Sequence, residues 1–207
     1  MKAIIVGGGI GGLTAALMLH GRGIACEVYE QSETIRELGV GINTLPHAIK
    51  ELAGLDLLDR LDAAAIRTGE LIYANRFGQE IWREPRGLDA GYDVPQFSIH
   101  RADLHGTLLR AVRERLGADR ILLGRRLAAA EQDAEGVTLR FEPDGSAAAP
   151  QPVRGAVAVG CDGIHSALRR QLHPGEGEPK YTGYNMWRGV SPWPPVLTGA
   201  TCFSDAS

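Results

Sequence analysis

Apolar and polar positions change period twice along this chain. Ala3 to Val6 is an uncharged apolar run, as a strand buried on both faces of a parallel sheet must be. Glycines interrupt it from Gly7 to Gly12, and Leu13 to Leu19 continues as an apolar helix. Ile24 to Tyr29 predicts a second strand, closed by Glu30. Gln31 to Leu38 is a polar approach to Gly39-Val40-Gly41-Ile42. Asn43 or Thr44 is the candidate cap of the next helix, with Pro46 in its first turn, Leu45, Ile49 and Leu52 as its stripe and Gly54 as its stop. Leu55 to Leu61 predicts a further short helix.

From Gly69 the pattern is that of strands. Glu70 to Ala74, Gln79 to Arg83 and Gln96 to Ile99 form an expected antiparallel excursion, punctuated by Gly78 and by Pro85 to Pro95. Arg101 opens an amphipathic helix with Leu104, Leu108, Leu109, Val112 and Leu116 on one face, ended by Gly117. Ile121 to Leu123 and Val137 to Phe141 predict strands of a small meander, and Asp144 to Pro152 a loop. Val153 to Val159 predicts a strand that delivers Gly160-Cys161-Asp162-Gly163, with Ser166 capping a helix over Ala167 to Leu172. A boundary follows at Pro174 to Pro179, then a last strand from Tyr184 to Val190.

The first glycine turn carries candidate chemistry. Gly7, Gly9 and Gly12 spell G-x-G-x-x-G between a strand and a helix. In that setting the first glycine permits the tight turn, the second lets backbone approach a pyrophosphate, and the third lets helix pack on strand. The helix N-terminus faces the phosphate charge. Glu30 follows Gly12 by 18 residues, close to the ~20 expected of an acid that accepts ribose hydroxyls. An acid there disfavours a 2′-phosphate, so the expected nucleotide is NAD-like or FAD-like.

Composition narrows the alternatives. At 207 residues the chain has room for one large domain, or one domain and part of another. Its net charge of −3 gives no reason to expect a nucleic-acid or anionic-membrane partner. Cys26, Cys161 and Cys202 are an odd set without C-x-x-C spacing, which points to reduced thiols in a cytoplasmic protein. Lys2 before a long uncharged stretch mimics a secretory leader, but five glycines between Gly7 and Gly12 would break its helix and any membrane span. The six histidines show no metal-binding spacing, so no metal is expected.

Three separated motifs resemble those of the class A flavoprotein monooxygenases, the FAD-dependent aromatic hydroxylases. They are G-x-G-x-x-G with Glu30, the Arg101-Ala102-Asp103-Leu104 helix opening, and GCDGIHSALR around Asp162-Gly163. Cys161 and Leu168 depart mildly from the family's pattern at the last. ELGVGINTLPHA, WREPRGLDAGYDVPQFSIHRADLH and MWRGV are similar to the phenazine-carboxylate monooxygenase branch, and salicylate-hydroxylase-like enzymes are a broader fit.

The resemblance implies an α/β fold. A Rossmann-like FAD-binding domain, with parallel sheet and β-meander, would comprise 1–68 and 100–174. Part of an antiparallel-sheet substrate domain would comprise 69–99 and 175–207. It places Gly12 and Leu13 at the FAD pyrophosphate, Glu30 and Gln31 at the adenosine ribose, and Val40, Gly41 and Ile42 beside the isoalloxazine. Arg101 would reach the phosphate or ribityl chain, Leu127 the adenine, and Asp162 the backbone around FAD; Trp187 and Arg188 would face the substrate or the core. NADH or NADPH would reduce FAD, and O2 would add to give a flavin C4a-hydroperoxide that hydroxylates a small aromatic substrate. A homodimer is left open. The family's later G-D motif is missing, so the chain reads as the N-terminal part of a longer enzyme. The rival readings are a flavin-dependent reductase of the same fold and an inactive FAD-binding fragment.

Overall fold

The computed structural model describes residues 2–35, 39–143 and 150–205. The end of the polar approach, 36–38, and most of the expected Asp144–Pro152 loop lie outside the described residues. In chain order the first elements are β1 (Lys2–Val6), α1 (Ile10–His20), β2 (Ala25–Tyr29), β3 (Gly41–Thr44), α2 (Pro46–Ala53), α3 (Leu58–Asp62), β4 (Ala65–Thr68), β5 (Glu70–Ala74) and β6 (Glu80–Pro85). There follow β7 (Gln96–His100), α4 (Arg101–Leu116), β8 (Ile121–Leu122), β9 (Leu127–Asp133), β10 (Gly136–Phe141), β11 (Val153–Gly155), β12 (Val157–Gly160), α5 (Ala167–Leu172) and β13 (Thr201–Asp205). Two compact units result, 1–36 with 108–185 and 37–107 with 186–207. The boundary at 107/108 falls inside α4, and the domains expected on functional grounds have other limits.

The first unit is built on a parallel sheet of order β12-β1-β2-β8. Its central strand, β1, fully buries Ala3, Ile4 and Ile5, as its uninterrupted apolar run requires. Val6 stands opposite Tyr29 on one side and Gly160 on the other, which aligns the C-terminal ends of three strands. Gly7, Glu30 and Cys161 therefore leave the sheet together, at the edge where open α/β sheets bind ligands. Gly12, Leu13, Ala16 and Leu17 are the buried side of α1.

An antiparallel meander of order β11-β10-β9 belongs to the same unit. Leu127, Leu139, Phe141 and Leu168 join Ile4, Val6 and Tyr29 in one buried cluster. The Tyr29 ring stacks on Phe141 with centroids 5.0 Å apart. Lys2 Nζ and the Tyr29 hydroxyl donate to Glu27 at 2.8 and 2.7 Å, and Arg120 approaches its other oxygen at 3.2 Å. Burial opposes ionisation of Glu27, but these donors and charges outweigh it and hold the carboxyl below its usual range. Burial, with Glu27 beside it, pushes the Tyr29 phenol up. On the outer edge of the meander, the Gln171 side chain exchanges two hydrogen bonds with Ala130, accepting from its N–H at 3.0 Å and donating to its carbonyl.

Two expectations are corrected here. The Ile121–Leu123 run does not join the meander; β8 pairs in parallel with β2, Val28 opposite Ile121. The single strand expected from Val153 to Val159 is two strands in different sheets. A Cβ on Gly155 would lie 2.7 Å from Ile4 Cγ1, and Ala156 donates its N–H to the Lys2 carbonyl at 2.9 Å. The close approach steers the chain from the meander into the parallel sheet.

The second unit holds two three-stranded sheets, β3-β7-β4 and β13-β5-β6. Phe97, Ile99, Ile49, Leu52, Leu57, Leu61 and Ile72 are among its buried apolar side chains. Asn43 and Thr44 lie in β3 and do not cap α2; Leu45 takes that place, with Pro46 in the first turn as expected. Thr44 Oγ1 instead donates to the Phe97 carbonyl across the sheet at 3.1 Å. The β5–β6 hairpin is antiparallel, whereas β13 adds to β5 in parallel. The strand expected from Tyr184 to Val190 has no regular structure, and Tyr184, Met186, Trp187 and Val190 are exposed. An extended segment becomes a strand only by pairing, and this one pairs with no strand among the described residues.

Candidate functional site

The turn from β1 into α1 is set by contacts inside the first unit. Gly7 has φ +107°, and a Cβ there would lie 2.3 Å from the Cys161 carbonyl oxygen. A Cβ on Gly12 would lie 1.9 Å from the Gly7 carbonyl oxygen. Both glycines are thus demanded by the protein's own packing. Gly9 differs: its φ of −76° suits any residue, and a Cβ would meet nothing within 4 Å. Nothing in the chain explains a glycine at position 9, so the space it leaves is available to something else.

That space opens on a cleft of about 490 Å³. Its walls include Gly7, Gly9, Glu30, Gln31, Leu127, Asp162 and Gly163, seven of the residues singled out in the sequence. The N-terminus of α1 points into this surroundings with Gly9 as N-cap, no side-chain cap and no acidic residue in the first turn. Uncapped helical N–H groups and the positive end of the helix dipole suit an anion. Gly12 and Leu13 are buried in α1, so any ligand contact there is through backbone. A larger hollow, about 670 Å³, lies over the β9–β10 turn and α5 and contains none of the predicted site residues.

Glu30 is fixed by backbone on both sides. Its Oε2 accepts from the Gly8 N–H at 2.7 Å and its Oε1 from the Ser32 N–H at 2.9 Å. The carboxylate at the end of β2 is thereby tied to the glycine turn, with lone pairs left for hydroxyl donors. Asp162 is committed differently. Its Oδ1 accepts from the Ser166 hydroxyl at 2.6 Å, and its Oδ2 from the Ala167 N–H at 2.7 Å. Ser166 Oγ in turn accepts from the Arg169 N–H at 2.9 Å, capping α5 as expected. Asp162 therefore shapes the Cys161–Gly163 turn and starts α5, and Gly163 supports the turn with φ +77°. Burial, then the Asp162 charge, raises the Cys161 thiol above its usual range.

The cleft also takes residues that no motif marked. Tyr29, Arg125, Arg126, Glu142, His165 and Arg170 line it. Arg126 pairs with Glu142 at 3.5 Å. Only nearness in sequence to Leu127 and to the Asp162-Gly163 pair hinted at these cations.

Val40, Gly41, Ile42 and Arg101 lie in the second unit. The Arg101 N–H donates to the Val40 carbonyl at 3.0 Å, and Gly39 admits the Arg101 side chain, since a Cβ there would be 2.8 Å from Arg101 Cβ. Arg188 Nη2 donates to the Gly41 carbonyl at 2.5 Å. Among the described residues no three of His, Cys, Asp or Glu come together to hold a metal ion, and no helix is long and apolar enough to cross a membrane.

A parallel sheet, a glycine turn whose Gly9 the chain's own packing does not demand, and an acid ending the second strand define a dinucleotide-binding protein of Rossmann type. The chain matches the FAD binding domain family over residues 1–191, and it belongs to that family. It is 43% identical over 197 residues to the phenazine 1,6-dicarboxylic acid hydroxylase PhzS of Lysobacter antibioticus, covering 95% of this chain and 48% of that one. With the 3-amino-4-hydroxybenzoate 2-monooxygenase of Streptomyces cremeus it shares 35% identity over 195 residues, 93% of this chain and 46% of the other. Its fold superposes on that of Klebsiella pneumoniae HpxO complexed with FAD and uric acid with a TM-score of 0.68, at 31% identity, over 83% of this chain and 41% of that one. The chain spans about half the length of the curated relatives it matches.

Proposed function

We propose that this chain forms the cofactor-binding part of an FAD-dependent, NAD(P)H-consuming monooxygenase that hydroxylates a small aromatic acid or related ring. The observation that carries the reading is Gly9, a glycine that the protein's own packing does not require, open to a cleft beside an uncapped helix N-terminus. FAD fits those residues. Gly9 and the first turn of α1, through the free backbone N–H groups up to Gly12, would hold the pyrophosphate, with Leu13 beside it and its own N–H taken by the Gly9 carbonyl. Glu30 and Gln31 would take the adenosine ribose, and Leu127 the adenine, with Arg125, Arg126 and Arg170 offsetting phosphate charge. Gly7, Asp162 and Gly163 would keep the turn in shape. Val40, Gly41 and Ile42 would run along the flavin ring, with Arg101 at the phosphate or ribityl chain. On this reading 1–68 and 100–174 form the cofactor domain, and 69–99 with 175–207 part of the substrate domain.

FAD, when bound, supplies the redox and oxygen-activating chemistry. The protein's part is to orient ring and cofactor and to exclude water. The overall reaction balances as NAD(P)H, a proton, O2 and an aromatic C–H giving NAD(P)+, water and the phenol. The protein would act in the cytoplasm, with a homodimer as its candidate assembly. The test is consumption of NADH or NADPH by the longer, flavin-loaded protein with and without aromatic acids, using 18O2. Aromatic-dependent consumption with label in the phenol is expected. Equal turnover under nitrogen without labelled product would overturn the reading in favour of a reductase.

A further inference from the structure

Helix α4 starts at Arg101, directly after His100 closes β7. Arg101 spends its N–H on the Val40 carbonyl at 3.0 Å, continuing the β3–β7 pairing in which His100 stands opposite Gly41. The next N–H, that of Ala102, is one of those a helix cannot satisfy from within itself. A side chain takes it: Ala102 donates to Nδ1 of His100 at 3.3 Å. His100 is therefore the N-cap of α4, its acceptor meeting the second N–H of the helix.

The residue type is unusual for that task. Ser, Asn and Asp, the favoured caps, present an acceptor throughout the neutral range, whereas imidazole has one only while uncharged. Because the donor is a backbone N–H, Nδ1 must offer its lone pair, and the single ring proton is on Nε2. A second proton removes the cap and sets a positive charge at the positive end of the helix, next to Arg101. The charged groups placed around this corner are Arg101 and Asp103 in the first turn of α4 and Arg188 on the Gly41 carbonyl. The facing end of β4 carries Ala65 and Ile66. Gly39 packs on the same turn, since a Cβ there would lie 2.8 Å from Arg101 Cβ and 3.3 Å from the Ala102 nitrogen. The Arg101 side chain itself is exposed, so the turn it stands on sets its direction.

We infer that His100 is a positioning residue for the cofactor: its uncharged imidazole caps α4, the capped turn aims Arg101, and protonation of His100 loosens FAD. The inference rests on the reading that places Arg101 at the FAD phosphate or ribityl chain. It ties retention of the cofactor to pH across the range where imidazoles titrate, about pH 5 to 8. The cap is present on the alkaline side of that range and is lost as pH falls.

The test measures dissociation of FAD from the longer, flavin-loaded protein on dilution, read as the rise of flavin fluorescence at about pH 8 and about pH 5.5. The parent is compared with His100→Asn, a cap that does not titrate there, with His100→Ala and with Arg101→Met. The parent should hold FAD about 3- to 10-fold more weakly at the lower pH, as loss of one cap implies. His100→Asn should match the parent at the higher pH and change by less than about twofold between the two, whereas His100→Ala should be weak at both. His100→Ala combined with Arg101→Met should bind no more weakly than Arg101→Met alone. A parent indifferent to pH, an acid-side loss in His100→Asn equal to the parent's, parent-like binding by His100→Ala, or losses that add in the double variant would each overturn the inference. Should His100→Ala fail to fold, the profile of His100→Asn decides by itself. Unaltered FAD affinity in Arg101→Met would remove the Arg101 contact and the inference with it. A weakened Arg101→Met beside a His100→Asn that still follows pH would remove the inference alone.

Discussion

Alanine at Gly9 and alanine at Gly12 should have opposite consequences, although the two glycines share one motif. At Gly12 the new Cβ would lie 1.9 Å from the Gly7 carbonyl oxygen, where non-bonded atoms rest at about 3.5 Å. Helix α1 would have to retreat by about 1.5 Å from a turn that Gly7 already packs against Cys161, an overpacking cost of about 3 kcal/mol or more. For a chain of this size that is a fall of about 6–12 °C in melting temperature. At Gly9 the new methyl meets no protein atom within 4 Å. Alanine there gains about 0.4–1 kcal/mol by stiffening the unfolded chain, and loses about as much as a poorer N-cap. The apo protein should melt within about 2 °C of the parent. The same methyl stands between backbone N–H groups and the pyrophosphate. Losing one charge-assisted hydrogen bond costs about 1.5–3 kcal/mol, so FAD should bind about 10- to 100-fold more weakly. Melting of the flavin-free proteins and titration of flavin fluorescence read the two effects separately. If Gly9→Ala melts as low as Gly12→Ala, or binds FAD as tightly as the parent, the reasoning is refuted.

Two other outcomes follow from the site's hydrogen bonds. Asp162→Ala removes the acceptor of Ser166 Oγ and the Ala167 N–H and should cost about 1–2 kcal/mol in thermal or urea unfolding; a variant as stable as the parent would show that α5 does not need this carboxylate. Glu27 ionises below its usual range in the folded protein, so the stability it contributes is present above the unfolded carboxyl value and is lost as pH falls through the folded one. The parent should therefore outlast Glu27→Gln at pH 7 and converge with it towards pH ~3, and a gap independent of pH would contradict the assignment.

The sequence was most legible where one residue type answers one geometric demand. The apolar run of β1, the glycines at 7 and 12 and the Ser166 cap each have a local cause, and each lies where expected. Elements made by partners were not legible. The β9 stretch, Leu127 to Asp133, is alanine-rich and weak in β-propensity, and exists because β10 pairs along it. The same holds for β13, whose Thr201–Asp205 register is dictated by β5. The Tyr184–Val190 run shows the converse, with strand-like residues and no neighbour to pair with. Within the site, the motifs located Glu30 and Asp162 but not their partners. That Glu30 holds Gly8, and that Asp162 is spent on α5, depends on distances no spacing rule encodes. The exposed Gly41 carbonyl and its bond to Arg188 join segments too far apart in sequence for any local pattern to link.

The amide of Gln171, lying against Ala130 as a strand would, gives the meander a false neighbour. A side chain cannot be extended by another strand as a backbone can, so a strand approaching this edge finds the Ala130 groups already taken. One glutamine on a six-residue helix thus keeps the middle of the β9 edge, at Ala130, from pairing with a neighbour.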